Sequence, residues 1–228
     1  MSEVRYETKF ILNEMNIAEA MRWIYMHTSM RRAYADRLVH TLYFDDPDFQ
    51  AVKDNLAGVS QRVKTRLRWY SEDGGISVPA LEEKIRDGRL GTKNRKLLPD
   101  LRSILMDIPI SDIVATVQKE LLCTEFGCRV FSKQLSPTLY VSYTREYFED
   151  HDGIRLTIDK NIAFGHIIPS SSISRLQLMS YPACLMEIKF LPEMKERVAD
   201  MIRGLHLVPM RHSKYLAGMA LLGQATYI

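Results

Sequence analysis

Charged and apolar residues alternate at strand period in segment after segment of this chain. The sharpest instance is Arg62-Val63-Lys64-Thr65-Arg66-Leu67-Arg68-Trp69-Tyr70. Side chains two apart share a strand face, so Arg62, Lys64, Arg66 and Arg68 project one way and Val63, Leu67 and Trp69 the other. Val4–Leu12 repeats the arrangement, with Arg5, Glu7 and Lys9 opposite Val4, Tyr6 and Phe10. Further strands are predicted over Arg37–Asp45, Val78–Arg86, Thr138–Phe148, Arg155–Asp159, Ile162–Ile168 and Ala183–Phe190. Within them Glu82, Lys84 and Arg86 share a face, as do Tyr143 and Arg145, then Arg155, Thr157 and Asp159, then Glu187 and Lys189. Asp73-Gly74-Gly75 and Asp87-Gly88 read as turns, the second leading into a segment with Lys93, Arg95 and Lys96.

Helical spacing marks the remainder. A helix over Asn16–Met30 is expected to be capped by Asn16, with Glu19 at the capping-box position. Others are predicted over Asp48–Leu56, in two or three pieces from Pro99 to about Lys133 broken near Pro109, over Pro192–Leu205, and over Ser213–Leu222 with Ser213 as cap. Ser170–Ser174 reads as a loop.

Strands with one charged and one apolar face suit a sandwich with solvated outer faces. They also suit a closed barrel with a polar bore and helices covering its apolar exterior. The charges are mainly cations with a few carboxylates interleaved, which favours the bore over a solvated face of mixed sign. Two unit charges about 4 Å apart repel by about 4 kcal/mol at an effective dielectric of 20, so converging cations need an anion. The fold expected is therefore α+β, antiparallel, with a basic bore.

Composition narrows the classes. The 228 residues are 46% hydrophobic and 26% charged, as for one large soluble domain, with or without an appended subdomain. A net charge of +3 makes local clustering more informative than the total. No apolar run approaches the roughly 18 residues of a membrane span, and MSEVRYETKF lacks a signal-peptide core. A cytoplasmic location is the expectation. Cys123, Cys128 and Cys184 are odd in number and lack metal-ligand spacing, so buried thiols are expected.

Glu7, Glu82, Asp159 and Glu187 lie among the cations, as ion-pair partners or as ligands of a hard divalent ion. Arginine forks and lysine point charges suit phosphate oxygens. Lys214, at a helix start, is either a phosphate contact or a surface lysine. His40 reads as a core histidine, Tyr43 and Tyr143 as wall residues, and His166, His206 and His212 lack ligand spacing. Trp69, Tyr70, Tyr140 and Tyr147 interleave with basic residues but carry no RNA-binding signature, so no nucleic-acid partner is expected.

Eight motifs in order carry a resemblance: Arg5-Tyr6-Glu7-Thr8-Lys9-Phe10, Thr41-Leu42-Tyr43-Phe44-Asp45, Lys64-Thr65-Arg66-Leu67-Arg68, Leu81-Glu82-Glu83-Lys84, Tyr143-Thr144-Arg145, Arg155-Leu156-Thr157-Ile158-Asp159, Glu187-Ile188-Lys189-Phe190 and Ser213-Lys214-Tyr215. From about residue 3 to residue 220 the chain resembles the VTC domain, the polyphosphate polymerase module of the triphosphate tunnel metalloenzyme superfamily, related to CYTH domains. The resemblance implies one domain over residues 1–228, an eight-stranded antiparallel tunnel barrel with helices outside. It implies phosphate binding by Lys9, Lys64, Arg66, Arg68, Lys84, Arg95, Arg145, Arg155, Lys189 and Lys214. Lys64, Arg66, Arg68 and Lys214 are the set assigned to the transfer itself. Glu187 corresponds to the family's metal-binding glutamate. Glu7 and Glu82 correspond to acidic tunnel positions, as ligands or as lysine partners. Mn²⁺ or Mg²⁺, ATP and inorganic polyphosphate follow as cofactor and substrates, with the γ-phosphate passing to the growing chain and ADP leaving. The CYTH triphosphatases open with Glu-x-Glu-x-Lys, and Arg5 in place of the first glutamate favours the polymerase branch. Hydrolysis of triphosphates in the same tunnel, or polyphosphate binding without catalysis, are the alternatives. The family's regulatory SPX domain and membrane helices have no counterpart in this sequence, so the expectation is either a free-standing soluble enzyme or a separately encoded membrane or regulatory partner.

Overall fold

The computed structural model describes residues 5–72, 75–87, 90–121, 124, 127, 128, 130, 132 and 134–225. Its strands are β1 (Tyr6–Leu12), β2 (Arg31–Asp45), β3 (Gln61–Glu72), β4 (Gly75–Ile76), β5 (Ala80–Asp87), β6 (Leu90–Leu97), β7 (Ser136–Glu149), β8 (Arg155–His166), β9 (Leu178–Ser180) and β10 (Cys184–Phe190). The helices are α1 (Glu14–His27), α2 (Gln50–Leu56), α3 (Ile110–Leu121), α4 (Lys195–Arg203) and α5 (Lys214–Leu221). The sheet path runs β1-β10-β8-β7-β2-β3-β5-β6, with β4 added on β3 and β9 on β8.

The α+β antiparallel class holds. The strand count and closure differ from expectation: the sheet has ten strands, and among the described residues no ladder joins β1 to β6. β4 arises because the chain doubles back after β3 for two pairs, Ser71 with Ile76 and Glu72 with Gly75. β1 is held additionally by the segment before α5, where Met210 N–H donates to Lys9 O at 2.8 Å.

The chain divides into two compact units. The first comprises Met1–Leu38, Tyr143–Ile162 and Ser180–Ser213. Here the apolar faces of β1, β8 and β10 (Phe10, Leu156, Ile158, Met186, Ile188) pack with Ala20, Trp23 and Ile24 of α1 and Val198 of α4. The second comprises Val39–Ser142, Ala163–Met179 and Lys214–Ile228. Here Leu42, Phe44, Leu67, Trp69 and Leu81 pack with Ile110, Ile113, Val117 and Leu121 of α3. In each unit the helices take the apolar strand faces, so the charged faces are left for other work.

Local differences have local causes. α1 is capped by Asn13 rather than Asn16: the Asn13 side chain accepts from Met15 N and Asn16 N, and Asn16 Oδ1 accepts from Asn13 N at 2.8 Å. β2 starts six residues before the expected Arg37, because its exposed first half lacks an alternating pattern. The two strands expected at Arg155–Asp159 and Ile162–Ile168 are one, β8, which passes through Asn161 at φ 52; asparagine is among the residues that tolerate that region. Between Pro99 and Lys133, α3 is preceded by a single 3-10 turn at Pro99–Leu101. Asp73, Gly74, Gly88, Leu122, Cys123 and Lys133 lie outside the described residues. Cys128 is exposed and Cys184 half-buried, not the buried thiols expected. No described helix is long and apolar enough to cross a membrane.

His40 is a core histidine. Its ring stacks on Trp69 with centroids 5.4 Å apart, and its nitrogens meet Tyr140 Oη at 2.6 Å and Ser71 Oγ at 2.9 Å. Burial pushes its pKa from 6.5 down to about 4. The folded protein therefore holds His40 neutral where the unfolded chain takes up a proton. Stability from this source is complete above pH 6.5 and declines as pH falls towards 4, by about 3 kcal/mol. Urea midpoints measured from pH 7 to 4 should show this acid limb, and His40→Gln should flatten it.

Candidate functional site

Strand register arranges the cations of the second unit in rows. Lys64, Lys84 and Lys93 are directly opposite one another across β3, β5 and β6, and Arg66, Glu82 and Arg95 form the next row. Arg68 lies two residues further along β3, opposite Thr41 of β2, and its Nε donates to Thr41 Oγ1 at 3.3 Å. Glu82 is the hub, with 3% of its surface exposed. Its Oε2 accepts from Arg66 Nε at 2.9 Å and meets Nη2 at 2.8 Å, while Oε1 takes Lys93 and, at 3.9 Å, Arg95. Burial pushes the Glu82 carboxyl upward, and Arg66, Arg68 and Lys93 more than reverse this, bringing it down to about 2. Burial likewise lowers the Lys93 ammonium, against the pull of Glu82.

α5 carries Lys214 as its first residue. The neighbouring Tyr215 anchors this end: its hydroxyl donates to Asp45 Oδ2 at 2.8 Å, and its ring stacks on Tyr43 at 4.9 Å. Tyr43 is in register with Arg66, so the helix start is fixed beside the cation rows. A Cβ on Gly218 would stand 2.5 Å from Leu139 Cδ2 and 2.7 Å from Phe164 Cδ1, so the close seating of α5 requires glycine there.

In the first unit Lys9, Lys189, Arg145 and Arg155 each meet a carboxylate. Lys9 Nζ lies 2.7 Å from Glu7 Oε1 and 3.6 Å from Glu187 Oε2, and donates to His212 O at 3.1 Å. Lys189 Nζ lies 2.6 Å from Glu187 Oε1. Arg145 grips both oxygens of Asp159, at 2.6 and 2.8 Å, and its guanidinium covers the Tyr143 ring at 5.2 Å. Arg155, opposite Lys189 in register, donates to Glu149 at 2.9 Å. Burial opposes the charge on Glu187, but Lys189, Lys9 and Arg145 hold its carboxyl well below the usual range.

The expected site residues thus fall into two sets. Lys9, Arg145, Arg155, Lys189, Glu7 and Glu187 belong to the first unit, and Lys64, Arg66, Arg68, Lys84, Arg95, Lys214 and Glu82 to the second. Arg5, at the position of the missing first glutamate, donates to Gly153 O at 3.4 Å. Trp69 is fully buried and Tyr140 nearly so, which removes both as stacking platforms for bases. Asp150, His151 and Asp152 bring three donor atoms within 4.8 Å of one another. Arg197 already pairs with both aspartates, and Asp150 Oδ1 accepts two backbone amides, so this cluster braces the turn after β7.

The profile of the VTC domain matches residues 4–223. The chain belongs to the VTC domain family. No curated protein matches it. Solved structures share the fold at low identity. The PH1819 protein of Pyrococcus horikoshii OT3 is 16% identical, at a TM-score of 0.55, covering 97% of this chain and 99% of that one. A Vibrio parahaemolyticus protein proposed as an adenylate cyclase is 10% identical at 0.54, covering 95% and 99%. A Hippeastrum protein proposed as an adenylyl cyclase, and described as revealing a dominant triphosphatase activity, is 13% identical at 0.54, covering 96% and 95%.

In this VTC domain the sequence reading passed over Lys93, which register sets beside Lys84 and which pairs with Glu82. The signal was present: Lys93 and Arg95 are two apart and share a face.

Proposed function

We propose that this VTC domain is a metal-dependent polyphosphate polymerase that transfers the γ-phosphoryl group of ATP to a growing polyphosphate chain. The observation that carries the reading is the cation face of β3, β5 and β6, where Lys64, Arg66, Arg68, Lys84, Lys93 and Arg95 surround the single hub Glu82. A face this rich in arginine and lysine offers a polyanion many charged contacts in a row. Arg66 and Arg68 offer forks to phosphate oxygens, Lys64 and Lys84 point charges, and Lys214 a further cation from a helix start. Phosphoryl transfer asks mainly for positioning and charge neutralisation. A terminal oxygen of the polyphosphate chain attacks the γ-phosphorus, the bond to the β–γ bridging oxygen breaks, and ADP departs with that electron pair. No protein nucleophile is needed.

The first unit has the donors that a hard cation requires. Glu7 and Glu187 already share one positive charge, the Lys9 ammonium between them, and Glu187 is held ionised although buried. Glu7 and Glu187 would hold Mn²⁺ or Mg²⁺, which would supply neutralisation of phosphate charge. Glu82 serves instead as the organiser of Arg66, Lys93 and Arg95, which occupy both its oxygens. On this reading residues 1–228 are one tunnel domain with eight strands in its wall, acting on ATP and inorganic polyphosphate.

A phosphorus NMR time course with pure protein, ATP and Mn²⁺ tests this. Internal polyphosphate resonances growing with ADP are expected. Orthophosphate and ADP without polymer would replace the polymerase by a triphosphatase, and unchanged ATP would replace it by a binding module.

A further inference from the structure

The row Lys9–Glu187–Thr157 contains a polar atom whose bonding is unaccounted for. Thr157 Oγ1 is fully buried and has no hydrogen-bond partner. Buried hydroxyls are almost always partnered, so an orphan beside a charged site calls for a missing ion or water. Thr157 is directly opposite Glu187 across the β8–β10 ladder, so both side chains leave the same sheet face. Directly opposed residues keep their Cβ atoms about 4.5–5.5 Å apart. At that spacing a hydroxyl and a carboxylate oxygen reach one ion at about 2.1 Å each.

The neighbours are already engaged. Glu187 Oε1 is taken by Lys189 at 2.6 Å, and Asp159 has both oxygens in the grip of Arg145. Glu187 Oε2 is held more loosely, by Lys9 at 3.6 Å. A phosphate oxygen placed between Thr157 and Glu187 is repelled by the carboxylate, whereas a divalent cation is attracted to it and competes for it with the Lys9 and Lys189 ammoniums. We propose that Thr157 Oγ1 and Glu187 together coordinate the divalent cation, with the hydroxyl as a neutral ligand. This rests on the metal dependence of the proposed polymerase and adds a residue that the family resemblance does not assign.

Thr157→Val keeps the shape and removes the oxygen. Titration of the apoprotein with Mn²⁺ alone, followed by the electron paramagnetic resonance of free Mn²⁺, should show affinity reduced by about tenfold or more in Thr157→Val. Thr157→Ser, which retains the hydroxyl, should stay within about threefold of wild type. Valine binding Mn²⁺ as tightly as wild type, or wild type not binding it, would overturn the assignment, and so would serine binding as weakly as valine. An independent reading uses unaltered protein with labelled threonine methyls: Mn²⁺ should broaden the Thr157 methyl first, and a Thr157 signal indifferent to Mn²⁺ refutes the site. Loss of Mn²⁺ affinity in valine from a protein that makes no polyphosphate sinks the polymerase and leaves the site standing.

Discussion

Glu187→Gln should slow polyphosphate synthesis by about a thousandfold, the scale on which single groups stabilising transferred charge act. The amide keeps the volume of a side chain that is only 6% exposed, so no cavity opens. What disappears is the negative charge that Lys189, Lys9 and Arg145 hold in place against burial, and with it the carboxylate proposed for the metal. Polyphosphate affinity should remain within about threefold of wild type, because the cation rows on β3, β5 and β6 are untouched. Phosphorus NMR rates and fluorescence anisotropy with labelled polyphosphate separate the two quantities. Synthesis at the wild-type rate would exclude Glu187 as the metal-binding carboxylate.

Glu82→Gln should act on stability instead. Removing the hub takes away the carboxylate that Arg66, Lys93 and Arg95 share. Breaking a buried pair at one partner costs about 3–5 kcal/mol, and the partly exposed Lys93 and Arg95 place this case near about 3 kcal/mol. Polyphosphate, the proposed substrate, should replace the lost negative charge and favour the folded state, so the variant's melting point should rise more than the wild type's. In the wild type the stability due to this group is complete above pH 4.5, the ordinary carboxyl value, and is lost as pH falls towards about 2. The variant lacks that limb. Urea and thermal unfolding, with and without polyphosphate, check all three statements. A variant as stable as wild type removes Glu82 from its organising role.

The two-faced strands were legible because side-chain alternation is a local property of an extended backbone: Arg66 and Arg68 share a face whatever pairs with them. The family was legible for a related reason, since seven of its eight motifs are short runs on single strands and the eighth is a helix start. Boundaries were less so. Asn13 and Asn16 are equivalent as caps in the sequence, and the end of β1 at Leu12 decides that Asn13 is the one in extended conformation. β8 continues through Asn161 because its neighbours in the sheet support both halves, which two separate apolar runs do not reveal.

The faces, the surplus of cations over carboxylates and membership of the VTC family all follow from residue order. Tertiary structure decided which charges meet. Glu82 draws its partners from β3 and β6, and Glu187 draws Lys9 from β1 besides Lys189 on its own strand, through ladder register. Lys93 enters the site and Glu82 is occupied as a hub for that reason, and Thr157 is left with a buried oxygen beside Glu187 by the same register. Register is set by the burial of whole apolar faces against helices, a sum over many residues that no single motif contains.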